Sequence, residues 1–334
     1  MIIRFIEAPA HNIRNGNVVT SERWRRFFEE LGHGVTSSPS ANDEPCDILV
    51  AFNASKNRQA ILEARNGGIA GHIVICLTGT DLYVDLKNDP SALDVLYLAD
   101  QLAVLQPMAL HELPPGLLHK AMVIFQSANP PRIDVTKDPE HFDVLVIAHL
   151  RDVKDPLRAA KASRLLPPES KIRVFLAGAA LTEEFAHEAE REVEENPRFH
   201  WLGELDKAGT AEALLRSRIM VISSLHEGGA NVISEAVVSN IPVIGSDIPC
   251  TRGLLGDEYP GLFPAKDSAR LAELLFRAET DNDYYDELAA RCRQEAYKFQ
   301  PELEKNSLEL LLDRVGAGPR ACPVDGRLQG SAPT

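Results

Sequence analysis

Short apolar runs alternate with stretches of helical periodicity along most of the chain. Residues 2–6, 48–52, 73–77, 102–105 and 122–125 are rich in Ile, Leu, Val and Phe, the pattern of strands buried on both faces of a parallel sheet. Helical spacing lies between them, for example over 21–31 and 55–65. The pattern breaks at Asn129-Pro130-Pro131 and stays polar through 134–141, as a linker or domain boundary does. It then restarts. Strands are predicted at 144–148, 173–176, 199–202, 219–222 and 243–245, and helices at 157–165, 183–195, 208–217, 232–239, 269–279 and 284–299. Pro301 interrupts the chain, and 304–315 reads as a last helix. Repeated strand–helix units of this kind build α/β domains around parallel sheets. The expected boundaries are 1–133 for the first domain and 134–300 for the second. Residues 316–334, rich in Gly, Pro and Ser and without a period, are expected to form a disordered tail.

Composition narrows the class. The chain has 334 residues, 44% hydrophobic and 25% charged, which suits two globular domains. No apolar run approaches the roughly 18–20 residues of a membrane span, and 2–6 is too short and too soon interrupted by charge to be a secretory signal. The net charge of −14 argues against a nucleic-acid surface. It also gives weight to any local cluster of Arg and Lys, since an anionic ligand is otherwise repelled. The five cysteines are odd in number and form no Cys-x-x-Cys pair. Neither a disulfide framework nor a zinc site is expected, and a reducing cytoplasm is the expected setting. No Gly-x-Gly-x-x-Gly follows the first strand, which disfavours a nicotinamide enzyme.

Chemistry concentrates in Ser223-Ser224-Leu225-His226-Glu227-Gly228-Gly229-Ala230-Asn231-Val232-Ile233-Ser234-Glu235-Ala236. A buried strand, two glycines and a helix entry follow one another there. That arrangement aims the backbone N–H groups of Gly228, Gly229, Ala230 and Asn231 at one point, which suits a phosphate. Glu227 precedes the helix and is placed to meet a sugar hydroxyl. Glu235, within its first turns, is placed to accept from a second polyol such as a ribose. One turn then spans a sugar, a diphosphate and a ribose, the outline of a nucleotide-sugar. The alternative is a helix entry with solvated acids.

Other candidates follow strands, where ligands of such sheets bind. Arg151 and Lys154 lie in His149-Leu150-Arg151-Asp152-Val153-Lys154-Asp155-Pro156, with Asp155 as the expected N-cap and Pro156 at the first helical position. Either they meet a diphosphate leaving group, or they pair with Asp152 and Asp155 on a surface loop. Asn15, Gly16 and Asn17, beside Arg14, give an anion-binding geometry if Thr20 and Ser21 cap the next helix, or an ordinary turn. Thr78, Gly79, Thr80 and Asp81 face the cleft from the first domain, either binding an acceptor or closing a plain turn with an Asx cap. Gln106, Gln126 and Ser127 end strands at the same edge. The backbone at Gly203 and Leu205 offers an edge to a flat base. His226 reads either as a base or as a packed histidine. No Asp-x-Asp pair follows a strand, so no metal is required and no cofactor beyond the substrates is expected.

These residues resemble the retaining glycosyltransferases of the GT-B fold with a Glu-x7-Glu motif, here Glu227 to Glu235. The Asn15–Asn17 loop and Leu31-Gly32-His33-Gly34-Val35 are similar to that family's early segments. The match is closer to one subgroup, the selenosugar synthases of selenoneine biosynthesis. It runs through 14–20, 77–83, 104–107, 149–156, 227–236 and 253–261, and covers about Met1 to Val315. The resemblance implies two Rossmann-like domains facing each other across a cleft, with the helix of 301–315 turned back towards the first. It implies that Glu227 and Glu235 hold the donor sugar and ribose, and that Arg151 and Lys154 hold the diphosphate. Catalysis would fall to Arg151, Lys154 and Glu227. Gly203, Leu205, Gly228, Gly229, Ala230, Asn231 and Glu235 would bind the donor. Asn15, Gly16, Asn17, Thr20, Thr78, Gly79, Thr80 and Asp81 would bind the acceptor. The implied substrates are UDP-N-acetylglucosamine or a related UDP-sugar and selenophosphate, with no nucleic acid and no stable membrane association. One departure matters: many family members place a histidine on the first-domain cleft strand, where this chain has Thr78-Gly79-Thr80-Asp81. A polarisable, largely ionised selenium nucleophile needs little help from a base.

Overall fold

The structure is a computed structural model and describes residues 1–6, 16–40 and 44–316. The expected tail beyond Gly316, together with Arg14 and Asn15, lies outside the described residues.

Two six-stranded, all-parallel sheets organise the chain. The first runs β2-β1-β3-β4-β5-β6, with β1 Ile2–Ile6, β2 Gly34–Ser38, β3 Cys46–Phe52, β4 Ala70–Cys76, β5 Gln101–Val104 and β6 Ala121–Val123. The second runs β12-β11-β10-β7-β8-β9, with β7 Phe142–Ile147, β8 Ile172–Ala177, β9 Phe199–Gly203, β10 Ile219–Ile222, β11 Val243–Ser246 and β12 Leu262–Phe263. Successive residues of β3 feed opposite cores, because side chains alternate across a strand. Ile48, Val50 and Phe52 join one cluster, and Leu49 and Ala51 the other. Both faces are thus covered, as an all-parallel sheet requires.

Two expected ends are corrected. The first long helix, Gly16–Glu30, begins well before residue 21. Thr20 and Ser21 are therefore interior residues, not caps, and the Thr20 hydroxyl donates back to the Gly16 carbonyl (2.9 Å). The helix closes on Gly32, at φ 86°, with His33 N–H donating to Phe28 O (3.0 Å), a Schellman-type end that glycine adopts without strain. After β7, Asp155 does not cap a helix. It sits at φ 44° behind a 3₁₀ turn over Asp152–Lys154, and its carboxylate accepts from Arg158 Nε (2.7 Å). The helix there is Arg158–Ser163.

The chain crosses between the domains twice. No helix or strand lies between β6 and β7, where the Pro-rich break was read. The return crossing leads into the helix Pro301–Arg314. The two crossings run side by side: Ala128 N–H donates to Phe299 O (3.1 Å), and the rings of Phe125 and Phe299 meet edge to face. Leu308, Leu311, Leu312 and Val315 then pack with Trp24, Phe28, Ile3 and Phe5 in the first-domain core.

Candidate active site

The loops that follow strands of the two sheets meet between the domains. From the second domain come the turn after β10 and the loop after β7, which are stitched together. Leu225 N–H donates to Val153 O (2.8 Å), and the Ser223 hydroxyl donates to Asp155 O (2.8 Å). Ser246 of β11 donates to Ser224 O (2.6 Å), bracing the turn from its other side. This scaffold sets Lys154 against Glu227. The Lys154 ammonium and the Ser224 hydroxyl (2.6 Å) both donate to Glu227 Oε1. Lys154, Ser223, Ser224 and Glu227 line a small cavity with Val146 of β7, Ile222 of β10 and Val232 of the helix Asn231–Val238. Arg151 is exposed at the head of its turn. In this loop Lys154 pairs with the glutamate across the site, while Asp155 is taken by Arg158.

Glu235 lies on the helix Asn231–Val238. Burial raises its pKa, opposed by the charges of Arg23 and Lys207. Lys207 begins the helix Lys207–Arg216 after β9, so the loop carrying Gly203 and Leu205 leads towards Glu235. Gly203 itself is left-handed (φ 67°) and its carbonyl accepts from Gly178 N–H (2.7 Å). Leu205 packs on the second-domain core.

The glycines of the motif do something the sequence does not announce. A Cβ on Gly228 would lie 2.5 Å from the amide nitrogen of Gly79, and one on Gly79 would lie 2.7 Å from that of Gly228. A Cβ on Gly229 would meet Gln126 Oε1 at 2.5 Å and Leu105 Cβ at 2.6 Å. Both motif glycines therefore permit backbone of the second domain to touch the first. Gly253 does likewise against Gln106, where the helix Pro249–Leu255 packs on the 3₁₀ turn Pro107–Glu112.

Three residues expected to bind an acceptor have partners within the protein. Asp81 is fully buried, and its carboxylate accepts from Thr78 N–H (2.8 Å), the Thr78 hydroxyl (2.9 Å) and Ser55 N–H (3.3 Å). Burial raises its pKa to about 6 against those hydrogen bonds. The Thr78 hydroxyl also accepts from Asn53 Nδ2 (2.9 Å). The Thr20 hydroxyl donates to Gly16 and accepts from Gln126 Nε2 (2.6 Å) and Asn231 Nδ2 (3.3 Å). All three polar groups are spent on bracing. What the first domain presents at the contact is the backbone of Gly79 and the exposed Thr80, with Gly16 and Asn17 at the head of their helix.

Asn231, expected on the donor, reaches the first domain as well. Its Nδ2 donates to Gly16 O (3.2 Å), and its Oδ1 accepts from Arg23 Nη2 (3.1 Å). His226 stacks on Tyr83 of the first domain, with ring centroids 6.3 Å apart and planes 16° off parallel. Burial lowers its pKa; Glu227 opposes this, while Lys154, Arg151 and Lys87 reinforce it. It is a packed ring in this setting. Arg23, Lys207 and Ser224 were missed by sequence reasoning. Ser224 lies within the motif but carries no signal of its role, and the other two lie apart from it along the chain.

Among the described residues there is no group of three or more His, Cys, Asp or Glu side chains placed to hold a metal ion, and no helix is long and apolar enough to cross a membrane.

Two doubly wound domains joined by a double crossing, with their strand-end loops in contact, define a GT-B fold, and solved structures share it. HepE from Anabaena, crystallised with UDP-glucose, aligns with a TM-score of 0.76 at 14% identity, over 94% of this chain and 100% of that one. Sucrose-phosphate synthase from Thermosynechococcus elongatus aligns with 0.76 at 14% identity, over 95% and 99%. In sequence, Glycosyltransferase 1 domain-containing protein 1 of Xenopus tropicalis is 25% identical over 273 residues, 74% of this chain and 79% of that protein. Residues 131–299 match the family described as glycosyl transferases group 1, and the chain belongs to that family.

Proposed function

We propose that the protein transfers a sugar, N-acetylglucosamine, from its uridine diphosphate donor to selenophosphate, forming a 1-seleno-sugar. The observation that carries the donor half is the convergence of Lys154, Ser224 and Glu227 beside the glycine turn. UDP-glucose bound to the structural neighbour HepE supports a UDP-sugar. In this reading Glu227 holds a sugar hydroxyl and Glu235 the ribose. Arg151 and Lys154 offset the charge that grows on the diphosphate as it leaves, an interaction stronger in the transition state than before it.

The acceptor half rests on the resemblance of the segments around Thr78, Arg151 and Glu227 to selenosugar synthases. The tight approach of Gly79 to Gly228 favours a small acceptor over a bulky glycan. A selenium lone pair forms the bond to the anomeric carbon as the bond from that carbon to the diphosphate oxygen breaks. Water then divides the selenium–phosphorus bond and releases phosphate. Selenium is polarisable and ionised, so no base is needed to remove a proton before attack.

The test is mass spectrometry of the purified protein incubated with UDP-N-acetylglucosamine and fresh selenophosphate under reducing conditions, beside Glu227→Ala. A selenium isotope pattern on a sugar mass, absent from the variant, is the expected result. Release of UDP without selenium in the product would overturn the acceptor and leave the donor standing.

A further inference from the structure

A cluster of side chains outside the donor motif joins three parts of the chain. Glu304, on the C-terminal helix, is completely buried. Its carboxylate accepts from Arg23 Nε (2.7 Å), Trp24 Nε1 (2.8 Å) and Ser127 N–H (2.7 Å). A buried carboxylate with a cation and two further donors is fully satisfied. Arg23 is thereby fixed, and its remaining reach goes across the domain boundary to Asn231 Oδ1 (3.1 Å). The Asn231 amide is held from its other end by Gly16 O and Thr20 Oγ1. Asn231 opens the helix that carries Glu235, and the Arg23 charge also acts on Glu235.

We infer that Arg23 is a positioning residue for sugar transfer: held by Glu304, it orients Asn231 from the opposite domain, so that the donor site is complete only while the two domains are together. Arg suits this task because its planar fork serves two partners in fixed directions, which a lysine cannot do. Separation of the domains would take away the Arg23 contact to Asn231 and the counter-charge near Glu235 in one movement. Donor-site assembly and domain closure are then a single event, which also keeps an open protein from hydrolysing its donor.

The inference rests on the UDP-sugar reading for its kinetic test, so a second measurement is independent of it. In UDP-sugar turnover, Arg23→Ala is expected to lower kcat/KM about tenfold, the scale of one charge-assisted hydrogen bond. Arg23→Lys is expected to recover only part of it. In a double-mutant cycle, Arg23→Ala combined with Asn231→Ala should lose clearly less than the product of the two single losses, because the two share one contact. A residue that merely stabilised the fold would lower the melting temperature and give additive losses, and additive losses overturn the inference. Small-angle scattering without any substrate should show Arg23→Ala more extended than wild type. If wild type turns over no UDP-sugar, the functional reading fails and scattering alone decides: equal dimensions for the two proteins overturn the inference.

Discussion

The Lys154 ammonium donates to the Glu227 carboxylate across two loops that the Leu225–Val153 backbone hydrogen bond and the Ser223 hydroxyl lock together. The cation expected on the diphosphate and the acid expected on the sugar therefore hold one another. In the proposed reading, a donor entering the site divides this pair, turning Lys154 to phosphate and Glu227 to a hydroxyl. Lys154→Ala is expected to cut kcat about 10²-fold, the scale seen when one donor to developing negative charge is removed. The KM for the donor should change much less. Steady-state kinetics reads both, and a raised KM at unchanged kcat would contradict this role.

Gly79 and Gly228 face each other with no room for a methyl group. Alanine at either position is expected to hold the domains apart, lowering turnover at least tenfold through misplacement of the reacting groups. Binding of UDP alone, which the second domain contributes most to in this reading, should be weakened far less. Calorimetry with UDP beside turnover assays separates the two.

Asp81 gives a pH dependence of stability with a definite sign. Its folded pKa is about 6, above the ordinary value of 3.8, because burial penalises the carboxylate. The folded protein therefore binds this proton more tightly than the unfolded chain. The contribution to stability is full below the ordinary value and is lost as pH rises towards about 6. Asp81→Asn removes the titration. Its stability relative to wild type should rise between about pH 4 and pH 6, as read by denaturant unfolding. A relative stability that falls over that range would sink the assignment.

Glu304→Ala strands Arg23, the Trp24 indole N–H and the Ser127 amide. Removing one partner of a buried ion pair costs about 3–5 kcal/mol. Thermal or denaturant unfolding should show a loss of that order.

Much of the fold is written in apolar runs. The strands at 2–6 and 219–222 and the helix at 183–195 lie where periodicity places them. The misses share a cause. β2, Gly34-Val35-Thr36-Ser37-Ser38, is an edge strand paired only with β1 and mostly exposed, so it needs no apolar run. β12 is two residues long. Within the site, Glu227 and Lys154 lie together because each follows a strand of one sheet. The part that was illegible lies between domains. Gly228 and Gly229 look like a phosphate cradle in sequence, yet their bareness also serves contact with residues some 100 to 150 positions away. Thr78 and Asp81 pair locally, the turn that was the alternative in sequence, while the contacts of Thr20 to Asn231 and of Thr78 to Asn53 come from far along the chain and have no local signal.

The placement of Leu308, Leu311, Leu312 and Val315 among Ile3, Phe5, Trp24 and Phe28 reverses the order in which the two halves can mature. Domains commonly fold as they leave the ribosome, the earliest first. Here the half that emerges first cannot close its core until residues near 315 are made, whereas the core of the later half is composed of residues 144–299. A chain ending at about residue 300 holds every residue of the second-domain core but lacks Leu308, Leu311, Leu312 and Val315, which leaves the apolar face around Trp24 open to chaperones.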